Sequence, residues 1–172
     1  GSEPVARLVY RQAAQHGKRV QAAGGAKNHI VVLPDAELDA TVDAVLGSAF
    51  GNAGERCLAG SVVVAVGRVQ EPLVERLVDA AGRLKVGPGD QEGVDMGPLI
   101  RAEHRDRVAG YVRRGEEEGA RVVLDGRSYM DRPGFFLGPT ILDGVSERMA
   151  VAREEIFGPV LSVSRVATLE EA

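Results

Sequence analysis

Short apolar runs alternate along this chain with segments whose apolar residues recur at helical spacing, and this alternation limits the fold more than any other feature. The runs HIVVL at 29–33 and SVVVAV at 61–66 have the length and valine content of strands buried on both faces. Such alternation is typical of βαβ units. It predicts an α/β fold, an open twisted, mostly parallel sheet flanked by helices.

The remaining elements follow from the same two periodicities. Helices are predicted at 3–16, 35–50, 70–84 and 102–118, with Asp35 as the N-cap of the second. Further strands are predicted at 19–21, 121–124, 136–142 and 159–166. Residues 86–98, with four glycines and two prolines, form a long loop. No repeat or linker interrupts the pattern, so the chain reads as one α/β domain.

Charge and composition exclude several classes of partner. The net charge is −4, whereas nucleic-acid binding needs a basic face. No apolar run approaches the roughly 20 residues of a transmembrane helix, and a single cysteine excludes a disulfide framework within the chain. We expect a cytoplasmic protein with neither nucleic acid nor a membrane as its partner. The abundance of alanine, glycine and arginine suggests a bacterial genome.

Cys57 is the only thiol, and its setting is the first candidate site. A lone cysteine in a cytosolic domain is most often a small buried apolar residue. Cys57, however, follows a glycine-bracketed loop, adjoins Arg56 and precedes a strand. An exposed, electropositive loop of this kind is typical of reactive thiols. The sequence therefore presents two interpretations, core filler and nucleophile.

The usual partners of a reactive cysteine are not evident in the sequence. His16, His29 and His104 have no spacing to Cys57 that is typical of a zinc site, and none is an obvious partner of a Cys–His pair. GGAK at 24–27 lacks the rest of a phosphate-binding P-loop, and no G-x-G-x-x-G follows a strand. The sequence predicts no metal site and neither of the standard nucleotide loops.

EEIFGPV at 154–160 is a second dense cluster of acidic, aromatic and turn residues. One interpretation is a turn before a strand, with Ile156 and Phe157 in the core. The other places the Glu155 carboxylate on vicinal hydroxyl groups of a ligand, for which a carboxylate is a good acceptor. The residues themselves favour neither interpretation.

Together, AGERCLA and EEIFGPV make the chain resemble the aldehyde dehydrogenase superfamily. The segments GGAKNHIVV, PDAELDA, DMGPLI and GFFLGPT occur in the order of that family, so the resemblance runs the full chain. VQAAGGAKNH, GERCLA and DMGPLI are similar to the CoA-acylating branch that oxidises malonate and methylmalonate semialdehyde. The resemblance implies that 1–22 are an edge of the cofactor-binding domain and 23–172 the catalytic domain.

The resemblance also implies an activity and its participants. NAD takes a hydride from the semialdehyde, and coenzyme A takes the acyl group with loss of CO2 to give acetyl-CoA or propionyl-CoA. The family's main NAD-binding half has no counterpart in these residues, so we expect the isolated chain to be inactive. The full-length enzyme is expected to be a homo-oligomer, a dimer or a tetramer.

Carried over by motif, Cys57 is the nucleophile that forms a thioacyl enzyme, and its backbone N–H is an oxyanion donor. Arg56 is implied to bind the substrate carboxylate, because a guanidinium suits bidentate capture of that group. The alternative is an arginine that only favours the thiolate of its neighbour.

Four further residues are implied to bind the cofactor. Glu155 holds the nicotinamide ribose with Phe157 beside it. Ser2 lies where a helix opens towards the phosphates, and Gly24 lines the nicotinamide.

One departure from the family bears on the acyl acceptor. Members that hydrolyse the thioester carry a glutamate base where this chain has Ala23. A thiol such as coenzyme A needs less help than water does, so the alanine favours acyl transfer to coenzyme A. Three alternatives remain: an NAD(P)-dependent aldehyde dehydrogenase with hydrolytic deacylation and an unusual base, an inactivated copy, and a non-catalytic fragment.

Overall fold

The computed structural model describes residues 1–172, and its centre is a five-stranded sheet. The helices and strands, in chain order, are α1 (Glu3–Gln15), β1 (Asn28–Val32), α2 (Leu38–Phe50), β2 (Gly60–Val66), α3 (Gln70–Gly82), α4 (Ala102–Glu117), β3 (Arg121–Leu124), β4 (Thr140–Asp143), α5 (Ala150–Arg153) and β5 (Val160–Val166). Short 3-10 turns lie at Gly51–Gly54, Gly67–Val69 and Gly126–Asp131. None of the helices has the length and hydropathy to cross a membrane.

The strand order is β1-β2-β5-β4-β3. The pairs β1–β2, β2–β5 and β5–β4 are parallel, and only β3 runs antiparallel, against β4. The predicted α/β class with a mostly parallel sheet is thus confirmed. Because β1, β2 and β5 run in one direction, the segments that precede them meet at one edge of the sheet.

Two apolar cores cover the two faces of the sheet. In β5, Leu161 and Val163 belong to the larger core with α2 and α3. Val160 of the same strand belongs to the smaller core with α4 and α5. Ser162, which shares the second face, donates a hydrogen bond from its buried hydroxyl to Val151 O of α5. Burial on both faces is typical of a strand in a mostly parallel sheet that is flanked by helices.

Three sequence predictions about elements were wrong in detail. Residues 19–21 form no strand, because the sheet ends at β1 and these residues pair with none of its strands. The second helix is capped by Glu37 rather than Asp35, since the Glu37 carboxylate accepts from the N–H groups of Asp39 and Ala40 at 3.0 and 2.7 Å.

The strand predicted at 136–142 begins only at Thr140. The residues before it turn away from the sheet to pair with other loops. Phe135 O accepts from Leu99 N, and Gly138 N donates to Gly126 O at 2.9 Å. Phe136 and Leu137 are therefore apolar because they are buried, and they do not pair in the sheet.

A buried ion pair joins the neighbouring parallel strands β4 and β5. The Asp143 side chain is fully buried and accepts from Arg165 Nε and Nη2, both at 2.8 Å, while Arg121 also donates to it. Burial by itself would raise the pKa of Asp143, but hydrogen bonds from Arg165, Gly144 N–H and Arg121 outweigh that effect and leave the pKa lowered. The carboxylate is thus charged and paired inside the fold.

Replacing Asp143 with asparagine tests this pair. We expect the free energy of unfolding at pH 7 to fall by about 3 kcal/mol, because two guanidinium groups lose a buried anionic partner. Since the folded pKa is lowered, the stabilisation is present above the unfolded value of about 3.9 and is lost as the pH falls through the folded value. The difference in the free energy of unfolding between wild type and Asp143→Asn, measured by urea titration, should therefore be smaller at pH 3 than at pH 7.

Asp79→Asn is the matched control, because Asp79 forms an exposed ion pair with Arg83 one helical turn away. Such pairs contribute only about 0.5 kcal/mol. Equal losses in the two variants at pH 7, or an Asp143→Asn deficit that does not change at pH 3, would contradict the role of the buried pair.

Candidate active site

A cleft of about 940 Å³ opens at the edge where β1, β2 and β5 begin. It is lined by Gly1, Ser2, Glu3, Pro4, Gly25, Ala26, Lys27, Cys57, His104, Arg107, Tyr111, Arg153, Glu154, Glu155 and Phe157. The structure therefore brings together Cys57, Glu155, Phe157 and Ser2, four of the six residues singled out in the sequence. Gly24 lies in a neighbouring depression along α1, and Arg56 lines a separate small crevice that Cys57 and Glu155 also reach.

The loop before Cys57 is shaped by left-handed backbone. Asn52 and Ala53 have φ values of 53° and 52°, and Gly54 has a φ of 69°. A Cβ on Gly54 would lie 2.3 Å from the carbonyl oxygen of Gly158, so only glycine allows this close approach. The loop of Cys57 is thus in backbone contact with the EEIFGPV segment.

Asn28, the first residue of β1, holds the other side of the loop. Its side-chain amide donates to Cys57 O at 2.8 Å and to Ala59 O at 3.0 Å. The Cys57 side chain is exposed, whereas Ala59 and Gly60 after it are buried. The thiol is therefore presented to the cleft by an anchored backbone and does not fill the core.

The Arg56 guanidinium binds the end of α2. Its Nη2 donates to Gly47 O at 2.6 Å and to Ser48 O at 2.8 Å, two carbonyls of the last helical turn. In this arrangement Arg56 ties the thiol loop to α2, and it is not among the residues that line the large cleft. The Nη1 and Nε groups make no hydrogen bond within the chain.

Glu155 and Phe157 lie on a segment that α4 holds from one side. The carboxylate of Glu154 accepts from Tyr111 Oη at 2.7 Å and from Arg114 Nη1 at 3.1 Å. Hydrogen bonding from Tyr111 lowers the pKa of Glu154, and Arg114 adds to this effect. With Glu154 engaged, Glu155 is the carboxylate of the pair that remains free of side-chain partners.

Lys27 is a site residue that the sequence analysis missed. Its Nζ donates to Glu154 O at 2.9 Å. Burial lowers its pKa to about 8, against the opposing attraction of Glu155 and Glu154. The only signal in the sequence is the lysine of GGAK, a segment that resembles part of a phosphate loop. A lysine whose pKa is lowered by burial in a cleft is typical of functional sites.

The polar face of α4 was also missed. His104, Arg107 and Tyr111 are spaced three and four residues apart, so they share one helix face. That face meets the 154–157 segment, with Arg107 Nη2 donating to Ile156 O at 2.8 Å. The spacing was visible in the sequence, but a helix with polar residues on most faces reads as solvated unless its neighbour is known.

Ser2 and Gly24 flank the start of α1. Ser2 is the N-cap, yet its hydroxyl makes no capping hydrogen bond, and its side chain faces the cleft. A Cβ on Gly24 would lie 2.8 Å from Ala6 Cβ and 2.9 Å from Ser2 O. Gly24 therefore permits the close packing of residues 24–25 against the first turn of α1.

Comparison with known proteins supports one family. The sequence model of the "Aldehyde dehydrogenase family" matches residues 1–172. Malonate-semialdehyde dehydrogenase of Halalkalibacterium halodurans is 52% identical over 173 residues, which are 100% of this chain and 36% of that protein. Malonate-semialdehyde dehydrogenase 1 of Geobacillus thermodenitrificans is 53% identical over 174 residues, with the same shares. The chain thus spans about a third of the length of these relatives.

Solved structures agree with the fold. The crystal structure of methylmalonate-semialdehyde dehydrogenase from Oceanimonas doudoroffii superposes with a TM-score of 0.95 at 48% identity, covering 99% of this chain and 36% of that one. The aldehyde dehydrogenase of Mycobacterium tuberculosis complexed with NAD+ gives a TM-score of 0.91 at 36% identity, covering 99% and 35%. With a family match over its whole length and these structural neighbours, the chain belongs to the aldehyde dehydrogenase family.

Proposed function

We propose that this chain is the nucleophile-bearing part of an NAD-dependent, CoA-acylating dehydrogenase for malonate or methylmalonate semialdehyde. The observation that carries the proposal is the exposed thiol of Cys57, anchored in the same cleft as Glu155. The names of the relatives at 52% and 53% identity support the substrate class. Residues 1–22 contribute to the cofactor-binding domain, and 23–172 form the catalytic domain.

The thiolate of Cys57 attacks the aldehyde carbon and forms a thiohemiacetal, while the backbone N–H of Cys57 donates to the oxyanion. NAD, which Glu155 would hold through its ribose, would supply the acceptor for the hydride of this carbon, and Cys57 would then carry the acyl group as a thioester. The thiol of coenzyme A then takes the acyl group and releases Cys57. Loss of CO2 gives acetyl-CoA or propionyl-CoA.

The residues of the cleft fit a dinucleotide cofactor. The Glu155 carboxylate has no partner within the chain and can accept hydrogen bonds from the two hydroxyls of a ribose. Phe157 and Ser2 also line the cleft, and the hydroxyl of Ser2 makes no capping hydrogen bond at the start of α1. Gly24 lies in the neighbouring depression and lets the chain pack closely against α1, beside this region.

The position of Ala23 supports a thiol as the acyl acceptor. Ala23 is exposed beside Gly24 and has no group that could accept a proton from water. The thiol of coenzyme A is a stronger nucleophile than water and needs less help from a base. The assignment to the acylating branch therefore depends on Ala23, which cannot act as a base, as well as on the thiol of Cys57.

Replacing Cys57 with alanine in the full-length protein tests the proposal. Wild-type protein should reduce NAD with malonate semialdehyde, carry an acyl mass adduct, and turn over steadily only when coenzyme A is present. Cys57→Ala should show neither the adduct nor turnover, because the acyl carrier is gone. Intact-protein mass spectrometry and NADH absorbance measure the two quantities.

Circular dichroism controls for folding, and no change is expected because the Cys57 side chain is exposed. Retained turnover in Cys57→Ala would exclude the thiol as nucleophile. Free acid formed at the same rate without coenzyme A would identify a hydrolytic aldehyde dehydrogenase instead.

Glu155→Gln tests the cofactor assignment. A neutral amide loses the charge-assisted hydrogen bonds to ribose hydroxyls, so we expect KM for NAD to rise by roughly 5- to 30-fold, or about 1–2 kcal/mol. Glu154→Gln is the matched control, because that carboxylate is engaged by Tyr111 and Arg114. KM is measured by steady-state kinetics. Equal changes of KM for NAD in the two variants, or no change in Glu155→Gln, would indicate that Glu155 has a structural role.

Arg56→Gln separates two roles for the arginine. If Arg56 binds the substrate carboxylate, turnover of malonate semialdehyde should fall by roughly thirty- to a thousand-fold, or about 2–4 kcal/mol, and turnover of propanal far less. The second role is structural, because the Arg56 guanidinium donates hydrogen bonds to Gly47 O and Ser48 O at the end of α2. Equal losses in kcat/KM on both aldehydes would assign Arg56 to holding the thiol loop.

A further inference from the structure

His104, on the first turn of α4, lies between the two segments that carry Cys57 and Glu155. Its Nε2 is 2.6 Å from the carbonyl oxygen of Phe157 and 3.3 Å from Oε1 of Glu55. The side chains of His104 and Glu55 are only 12% and 13% exposed. A mostly buried imidazole therefore contacts both segments through one nitrogen atom.

The contact with Phe157 assigns a proton to Nε2, because a carbonyl oxygen only accepts hydrogen bonds. Nε2–H donates to Phe157 O, and the Glu55 carboxylate is a second, longer acceptor of the same N–H. The imidazole also meets the Phe157 ring edge-on, with centroids 6.4 Å apart and planes at 63°. His104 thus holds Phe157 through its backbone and through its ring.

Phe157 needs an external hold because its backbone is left-handed, with a φ of 60°. This conformation is unfavourable for a residue that carries a Cβ and persists only where neighbours impose it. Arg107 of α4 supports it by donating to the preceding carbonyl, Ile156 O. Donors on α4 therefore maintain the turn that presents Glu155 and Phe157 to the cleft.

Glu55 links His104 to the loop of the thiol, because it contacts the imidazole and lies two residues before Cys57. Burial raises the pKa of the Glu55 carboxyl, and His104 and the backbone N–H of Ile100 oppose the rise. Without the imidazole, this partly buried carboxyl would lose a polar partner. The loop of Cys57 would then lose its side-chain link to α4 and keep only the backbone approach between Gly54 and Gly158.

We propose that His104 is a positioning residue that sets the separation between the Cys57 loop and the Glu155–Phe157 segment. This inference depends on the proposed function, because the two segments then carry the acyl group and the cofactor. Hydride transfer requires the substrate carbon and the nicotinamide in one near-attack geometry. Because His104 contacts both segments, it affects that geometry without contacting the substrate or NAD.

His104→Leu in the full-length protein removes the Nε2 donor at similar side-chain volume. We expect kcat for NADH formation to fall roughly 10- to 100-fold, since a displacement of about 1 Å at a reacting centre has an effect of that size. KM for NAD should change less than threefold, because the ribose-binding carboxylate is kept. His104→Gln, whose amide N–H can reach the same acceptors, should recover most of the lost kcat.

A second variant approaches the bridge from the other side. Glu55→Gln keeps the size of the side chain and weakens only its attraction to the imidazole, so kcat should fall by a smaller factor. His16→Leu is the matched control, because His16 is exposed at the end of α1 and its ring contacts only Gln12 O. It should leave kcat, KM and the melting temperature unchanged.

Wild-type kcat in His104→Leu would overturn the inference, as would a loss confined to KM for NAD, which would assign His104 to cofactor binding. A loss that His104→Gln does not recover, together with a lowered melting temperature, would assign it to stability alone. If the wild-type protein forms no acyl adduct at Cys57, the proposed function itself fails, and that outcome is distinct from the other three.

Discussion

Parallel pairing of three strands is the constraint on which the candidate site depends. Asn28 of β1 pairs with Gly60 of β2, and Val62 of β2 pairs with Ser162 of β5, so the three strands start at one edge of the sheet. Lys27, Cys57 and Phe157 each come within three residues of one of these starts. Hydrogen bonding between strands therefore brings together residues from distant parts of the chain.

Strand pairing places the segments at one edge, but polar and backbone contacts decide their spacing. Gly54 approaches Gly158 where no other residue fits, and Asn28 fastens the backbone on both sides of Leu58. Helix α4 then adds donors to the carbonyls of residues 156 and 157. An exposed thiol on such an anchored loop needs little reorganisation before it reacts, which is the condition that favours catalysis by positioning.

Local sequence patterns predicted an element well where burial alone determines which of its residues are apolar. The valine run of β2 and the apolar spacing of α3 identified both elements to within a few residues, because a strand or helix packed in a core must repeat apolar residues at its own period. Short or edge elements were predicted less well. Residues 19–21 do not pair with the sheet, and in the run 136–142 only Thr140 onwards joins β4, because 136–139 are buried among loops.

The same division holds for the site. The sequence by itself determined which reactive groups the chain carries, namely one thiol in GERCLA and a pair of carboxylates in EEIFGPV. It could do so because the reactivity of a thiol or a carboxylate is a property of the side chain itself. The motif indicated Glu155 as the candidate ligand residue, but nothing in the sequence identified His104, Lys27 and Tyr111. Only the tertiary structure decided that Tyr111 engages Glu154 and leaves Glu155 free, and that Arg56 binds α2 carbonyls. The physical reason is that a hydrogen bond depends on distances of about 3 Å between atoms, and such distances between residues far apart in the chain exist only after the strands have paired.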